Sequence, residues 1–306
     1  MTERKLRQGE QGAPTAEPRR VSVRVPTRVD FAGGWSDVPD YASSEGGIVL
    51  NAAIDRYVEG CAEWTGDGLR LSYNLDLPPD AHLGTSSASN LAWLELIHGL
   101  IERRVSTTER AELAFRLEEL LGEKGGKQDQ YAAALGGLNL LRFGAADEPA
   151  QIEPLKLSDD HVAALQRRCI LCHAGPSAGS SSLHKQVWKR FREGDGETRR
   201  TLRAIRDTAL LARDALLACD WSGLAGILTR NRELARALGG GALTNRMDRL
   251  FEAGAQAGAL GSKGCGAGGG GMLLFLCEDE RKDAVQESLK AAGGKIIPFD
   301  FAPRRD

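Results

Sequence analysis

The sequence predicts an α+β protein of about two domains, and three observations carry that expectation. At 306 residues the chain has the length for two cores of ordinary size. Strand-like runs, alternating or continuously apolar, recur from Val21 to Phe143, whereas about 181–256 is filled by four segments of helical period. A strand, a helix and a last strand then close the chain between Met272 and Phe301. The composition, 42% apolar and 27% charged, is that of a soluble globular protein. A net charge of −2 leaves no electrostatic footprint for nucleic acid, and no apolar run approaches the roughly 20 residues that cross a bilayer. Met1 to Arg20 is polar throughout, so it reads as a solvated tail and not as a secretory signal. Six cysteines without a dense framework point to reduced thiols and a cytoplasmic address.

Val21–Val25 alternates apolar and polar residues, the mark of a half-buried strand, and Pro26 is expected to stop it. Thr27–Pro39 then reads as a loop. Its adjacent Gly33 and Gly34 let the backbone approach a ligand closely. Asp37 is either an acceptor for neighbouring hydroxyls, as on a sugar, or the solvated acid of a tight turn. Gly46–Ile54 reads as a buried strand, and Tyr57–Trp64 and Leu69–Tyr73 as two more around the Gly66-Asp67-Gly68 turn. Ser106 with Glu109 forms a capping box for a helix that ends near Leu121, with Glu118 close to its end. Gly125–Tyr131 leads into a helix start, and Leu138–Phe143 is a strand. Residues 144–160 show no periodicity and mark the domain boundary. The strand Arg168–His173 contains Cys169, Cys172 and His173, a literal C-x-x-C-H. Residues three apart on a strand face opposite sides, so buried structural thiols are expected there, neither a haem attachment nor a zinc site. After a polar loop at Ser177–Ser182, helices are expected at about 181–193, 197–218, 221–237 and 245–256.

The chemistry centres on His82–Asn90. Pro78 and Pro79 lie just upstream, and the helical run Leu91–Ile101 follows. A glycine, three hydroxyls and a helix start bring free N–H groups and the positive end of a helix dipole to one point, which favours an anion. Thr85, Ser86 and Ser87 add oxygens for phosphate or Mg²⁺; the competing reading is a Ser/Thr cap on a core helix. Asp129, between glycines and an alanine-rich helix, either meets another helix N-terminus or is simply an N-cap. Gly261–Gly271 contains G-x-G-x-x-G but runs into a strand, where a dinucleotide fingerprint would open a helix. No G-x-x-x-x-G-K-[ST] occurs, so any ATP site here is not a P-loop.

Three glycine-containing stretches in this order resemble the motifs of the GHMP kinases: Pro26–Asp37, Pro78–Ser87 and Lys263–Gly271. F-A-G-G-W-S-D, G-G-K-Q-D-Q-Y and G-A-G-G-G-G are most similar to the branch of D-glycero-D-manno-heptose 7-phosphate kinases and L-fucokinases, over about residues 21–302. The resemblance implies a ribosomal-S5-domain-2-like N-terminal domain over 21–157 and a ferredoxin-like C-terminal domain with extra helices over 158–306, after a tail at 1–20. It implies that Leu83, Gly84, Thr85, Ser86 and Ser87, with Gly268 and Gly269, hold ATP, and that Ser86 and Glu118 hold Mg²⁺. Asp129 matches the catalytic acid that takes or orients the proton of the sugar hydroxyl, and Arg28 a basic residue that steadies the nucleophilic oxygen or Asp129 itself. Asp37, with Gly33, Gly34 and Lys127, would face the sugar.

The reaction so implied is ATP-dependent phosphorylation of the anomeric hydroxyl of a sugar phosphate, heptose 7-phosphate foremost. The alternatives are an unphosphorylated sugar, as for L-fucokinase or galactokinase, and a non-catalytic sugar sensor. The partner is a small sugar or sugar phosphate, not nucleic acid or membrane, and a homodimer is among the assemblies allowed. A phosphorylated sugar needs a second anion site, for which Lys127, Lys185, Lys189 and Arg190 are candidates; singly, each reads as a solvated charge. Two departures stand out. His82 replaces the first glycine of the second motif, which costs energy wherever the family backbone has positive φ. Pro176–Gly179 stands where a heptose-kinase pattern carries an arginine.

Overall fold

The computed structural model describes residues 19–305, apart from 66–67, 79–80, 124, 177–179, 240–242, 267–269 and the side chains of 180–183. Five strands, β1 (Arg19–Ala32), β2 (Gly47–Thr65), β3 (Gly68–Leu75), β4 (Leu138–Phe143) and β5 (Gln151–Pro154), form an antiparallel sheet. Its order is β1-β2-β4-β5, with β3 also paired to β2. β1 does not stop at Pro26. It is an edge strand, and its register slips between Pro26, opposite Tyr57, and Thr27, opposite Ile54. That irregularity accommodates a residue with no N–H to give. Thr27–Ala32 is therefore buried strand and not loop, which carries Arg28 and Asp30 inside the fold. Arg19 and Arg20 likewise begin β1 and do not belong to the tail. The two strands expected at Gly46–Ile54 and Tyr57–Trp64 are one 19-residue strand, β2.

A short helix α1 (Pro39–Glu45) precedes β2, and α2 (Thr85–Leu100), α3 (Thr107–Leu120) and α4 (Gln128–Leu135) follow β3. The Ser106 hydroxyl accepts the Glu109 N–H at 3.2 Å, as the capping box requires. One face of the sheet packs Val25, Val49 and Leu141 against Leu91, Ala114 and Tyr131 of α2, α3 and α4. The expected boundary at 144–160 holds β5 and the start of α5 (Asp159–Arg168). Ser158 caps α5, accepting the His161 N–H at 3.3 Å, with acids in its first turn and arginines in its last.

β6 (Cys169–His173) is followed by α6 (Ser180–Arg192), α7 (Gly196–Leu217), α8 (Trp221–Ala237) and α9 (Asn245–Ala257), each within one residue of its expected bounds. Then come β7 (Ala259–Gly264), β8 (Met272–Cys277), α10 (Lys282–Ala291) and β9 (Lys295–Ile297). The second sheet is antiparallel in the order β7-β8-β6-β9. Cys169 and Cys172 are buried free thiols on its central β6, and burial pushes both up to about 12. β9 is shorter than expected because the chain leaves it for the first sheet. Phe301 bridges to Ile54 and Arg304 to Gly136. The second face of the first sheet shares a core with α7, α8 and the second sheet, built on Phe31, Leu50, Leu171, Leu216, Leu224 and Leu274. Among the described residues no helix is long and apolar enough to cross a membrane.

The turn after β1 depends on Gly33, whose φ is 87° and whose added Cβ would fall 2.0 Å from the Ile48 carbonyl oxygen. Gly33→Ala should cost about 2–5 kcal/mol, combining left-handed strain with overpacking. Urea unfolding should show a lower midpoint at an unchanged slope.

Candidate active site

A cavity of about 400 Å³ opens where the ends of β1, α2 and α4 meet. Arg28, Asp37, Gly84, Thr85, Ser86, Ser87, Glu118 and Asp129 all line it, although they come from segments far apart in the chain. Gly84 is the N-cap of α2, held at φ 72° with no side chain closing the cap. The first N–H groups of a 16-residue helix and the hydroxyls of Thr85–Ser87 therefore border the cavity, an arrangement suited to phosphate oxygens. Leu83 is fully buried and acts from behind, its carbonyl accepting the Arg28 N–H at 3.0 Å. His82 has φ 56°, so it occupies the left-handed region at a cost of about 1–2 kcal/mol.

Arg28 is buried, and its Nε donates to Asp129 Oδ1 at 2.7 Å while its Nη1 donates to the His82 carbonyl at 3.3 Å. Burial alone would lower the guanidinium, but the facing Asp129 and nearby Asp30 outweigh it and hold Arg28 above its ordinary value. Asp129 is the second residue of α4 and not its cap. The capping acceptor is Asp37, whose Oδ2 accepts the Gln128 N–H at 3.0 Å and whose Oδ1 accepts the Gln128 side-chain amide at 3.4 Å. Asp37 thus lines the cavity and also fixes the helix that carries Asp129. Its carboxyl is pushed up to about 6, by burial first and by the charge of Asp129 as well.

Glu118, at the end of α3, accepts from Gln130 at 2.8 Å and from Asn90 at 3.4 Å. Burial pushes it up to about 7, against hydrogen bonds from Ser87 and Asn90. Among the described residues its partners are neutral amides and a hydroxyl, and no cation is paired with it. With the exposed Ser86 hydroxyl in the same cavity, this hard-oxygen pair fits Mg²⁺, which takes one or two side chains and fills its octahedron with phosphate and water. Among the described residues no set of three or more His, Cys, Asp or Glu side chains could hold a metal alone.

Some sequence-named residues lie elsewhere. Gly34 lines the cavity, while Gly33 shapes the turn behind it. Lys127 is turned away: its ammonium donates to Glu112 Oε2 at 2.9 Å and to the Glu148 carbonyl at 3.1 Å. Lys185, Lys189 and Arg190 do not line the cavity either, and Arg190 is tied to the Leu238 carbonyl. Gly268, Gly269 and Ser177–Gly179 lie outside the described residues. The residues that sequence reasoning passed over are Gln128 and Gln130, which flank Asp129 and hold Asp37 and Glu118. The Q-D-Q triplet was their signal. Trp35, which sits inside the F-A-G-G-W-S-D motif, and His184, which no motif marks, also line the cavity.

The Asp37 carboxyl binds a proton more readily in the folded chain than in the unfolded one. The contribution of Asp37 to stability is therefore expected to fall as pH rises from about 4 to about 6 and to level off above that, and Glu118, raised to about 7, continues the fall in wild type and variant alike. Moving from 3.8 to about 6 corresponds to roughly 3 kcal/mol. Asp37→Asn keeps an acceptor for the Gln128 N–H and removes the buried charge. It should match wild type near pH 4 and be the more stable by up to that amount at pH 7.5. Denaturant melts of both proteins at the two pH values check this, and parallel curves would contradict the assigned cause.

Residues 49–137 match the GHMP kinases N terminal domain and residues 212–295 the GHMP kinases C terminal family, together over half of the 306-residue chain. The chain is 24% identical, over 92% of its length and 97% of the relative's, to D-glycero-alpha-D-manno-heptose 7-phosphate kinase of Campylobacter jejuni. It is 26% identical to the bifunctional fucokinase/GDP-fucose pyrophosphorylase of Arabidopsis thaliana, over 87% of this chain and 30% of that protein. The crystal structure of a D-glycero-D-manno-heptose 1-phosphate kinase from Bacteriodes thetaiotaomicron superposes with a TM-score of 0.73 at 24% identity, covering 93% of this chain and 96% of that one. The motifs in order, the two-domain antiparallel architecture and these matches agree, and the chain belongs to the GHMP kinases, close to their sugar kinases.

Proposed function

We propose that this kinase transfers the γ-phosphoryl group of ATP to the anomeric hydroxyl of a sugar, with Asp129 as the acid–base group. One observation carries the reading: Asp129 lies against the phosphate-suited turn itself. A Cβ placed on Gly84 would sit 3.2 Å from the Asp129 carboxylate. A hydroxyl that approaches a phosphate seated at Gly84–Ser87 is therefore within reach of that carboxylate. Arg28 fixes Oδ1, which leaves Oδ2 to take the hydroxyl proton as the new P–O bond forms and the bond to the departing ADP oxygen breaks. The helix N-terminus and the three hydroxyls stabilise the charge on the transferring group. Mg²⁺ held by Ser86 and Glu118 would neutralise charge shared between the β- and γ-phosphates.

For the sugar, the Campylobacter relative and the F-A-G-G-W-S-D motif support a heptose 7-phosphate. A neutral sugar is the second reading, and one observation favours it. None of Lys127, Lys185, Lys189 and Arg190, the candidates for a far phosphate, lines the cavity. The retention of Asp129, Arg28 and Ser86 in one cavity supports an enzyme over a sugar sensor.

Three outcomes are expected. Asp129→Asn should lose about 10²–10⁴-fold in turnover while its melting temperature is kept within a few degrees. Arg28→Ala should be similarly slow and the double variant far less than multiplicative, because the pair acts as a unit; near-wild-type turnover of Asp129→Asn would remove it from the chemistry. EDTA should abolish ADP release, with recovery on excess Mg²⁺, and full activity in EDTA would refute the Ser86–Glu118 site. Finally, kcat/KM should be compared for heptose 7-phosphate, the dephosphorylated heptose, L-fucose and galactose. Preference for the phosphorylated heptose by about 10²-fold is expected from a built phosphate contact. A win for a neutral sugar would replace that reading with the second.

A further inference from the structure

Beside the catalytic pair, the cavity is walled by two aromatic side chains that the chemistry above leaves unused. Trp35 is a bulky residue at φ 81°, a conformation that costs about as much as a weak hydrogen bond contributes and that persists only where the surroundings enforce it. Its ring stacks on the imidazole of His184, with centroids 4.5 Å apart and planes at 21°. From behind, Trp35 rests on Trp188 at 6.1 Å, Trp188 on Phe191 at 5.9 Å, and Phe191 on Tyr41 at 5.6 Å. This ladder belongs to one buried cluster joining the turn after β1 to α1, α6, α7 and α8. The His184 ring is thus fixed in place by packing.

What packing does not supply is a hydrogen bond. His184 Nδ1 is buried with no partner among the described residues, whereas buried polar atoms are almost always paired, so of the two ring nitrogens it is Nε2 that can meet a ligand in the cavity. His184 lines the same cavity as Asp37 and Asp129. We propose that His184, clamped by Trp35, is a specificity-determining residue of the sugar subsite, exchanging hydrogen bonds with hydroxyls of the sugar ring. A neutral imidazole nitrogen gives or takes one hydrogen bond according to its tautomer, and a hydroxyl answers either role. Burial pushes His184 down to about 4, so the ring is neutral at pH 7. This proposal rests on the sugar-kinase reading and narrows it: recognition at this wall is of hydroxyls.

The test uses the full chain, with heptose 7-phosphate, the dephosphorylated heptose, L-fucose and galactose as probes. Sugar binding without ATP is followed by tryptophan fluorescence, and KM and kcat are measured with saturating Mg-ATP. His184→Ala should weaken sugar binding and raise sugar KM about 3- to 10-fold, with the KM for ATP unchanged; His184→Gln, which keeps a donor and an acceptor, should recover much of the loss. Monodeoxy analogues of the best substrate sharpen the result. The analogue lacking the contacted hydroxyl should be penalised in wild type and no further in His184→Ala. An unchanged sugar KM in a folded His184→Ala variant, or an equal rise in the KM for ATP, overturns the assignment alone. If wild type neither binds nor turns over any of these sugars, the kinase reading falls with it.

Discussion

The Arg28–Asp129 ion pair is the interaction on which the rest of the site depends. Arg28 is buried on β1, and from there it reaches every other part of the machinery: Asp129 on α4, the backbone of His82 and Leu83 ahead of α2, and the vicinity of Gly266 after β7. Burying a guanidinium costs several kcal/mol unless a carboxylate and carbonyls replace its water. Here they do, and the geometry follows. The carboxylate must stand at the start of α4, and the turn before α2 must present its carbonyls to β1. A cost met by two partners, Asp129 on α4 and the His82 carbonyl ahead of α2, holds both segments against β1. A second buried pair, Lys263 with Asp30, repeats the device two residues along β1 and ties β7 to the same strand.

Charge then explains the remainder of the cavity. Asp37, Glu118, Glu123 and Asp129 all border it, and among the described lining residues Arg28 is the one arginine or lysine. Two of these acids, Asp37 and Glu118, are pushed up by burial, so their negative charge in the cleft carries an electrostatic cost. Such a cleft favours whatever brings positive charge or hydrogen-bond donors. A magnesium ion does the first and a polyol the second. The same residues that make the site costly to fold make it selective for what enters.

Much of this was legible in sequence, and the legible part was the part made locally. The turn at His82–Ser87 depends on a glycine, hydroxyls and a following helix, all within ten residues, and the structure places them together. The helices α6–α9 announce themselves by period. Pro26 misled because a proline ends a strand only when its missing N–H is needed; on an edge with a bulge it is not. Lys127 misled for the opposite reason. Its place beside Asp129 suggested a ligand, but helix geometry sends neighbouring side chains to different faces, and Glu112 on α3 takes this one. His82 takes a positive φ, the conformation that a glycine at this point of the motif adopts without strain.

The two proposed ends of the cavity are built differently: the phosphate end is made of backbone N–H groups and small residues. The Trp35–His184 wall is made of side chains from the turn after β1 and from α6, supported by packing that runs back to Tyr41. A substitution at the tip of that ladder changes which hydroxyls are satisfied while the aromatic cluster beneath it stays packed. On the proposed roles, the chemistry rests on Arg28, Asp129 and the α2 turn and the choice of sugar on the Trp35–His184 wall, so the second can change while the first stays as it is.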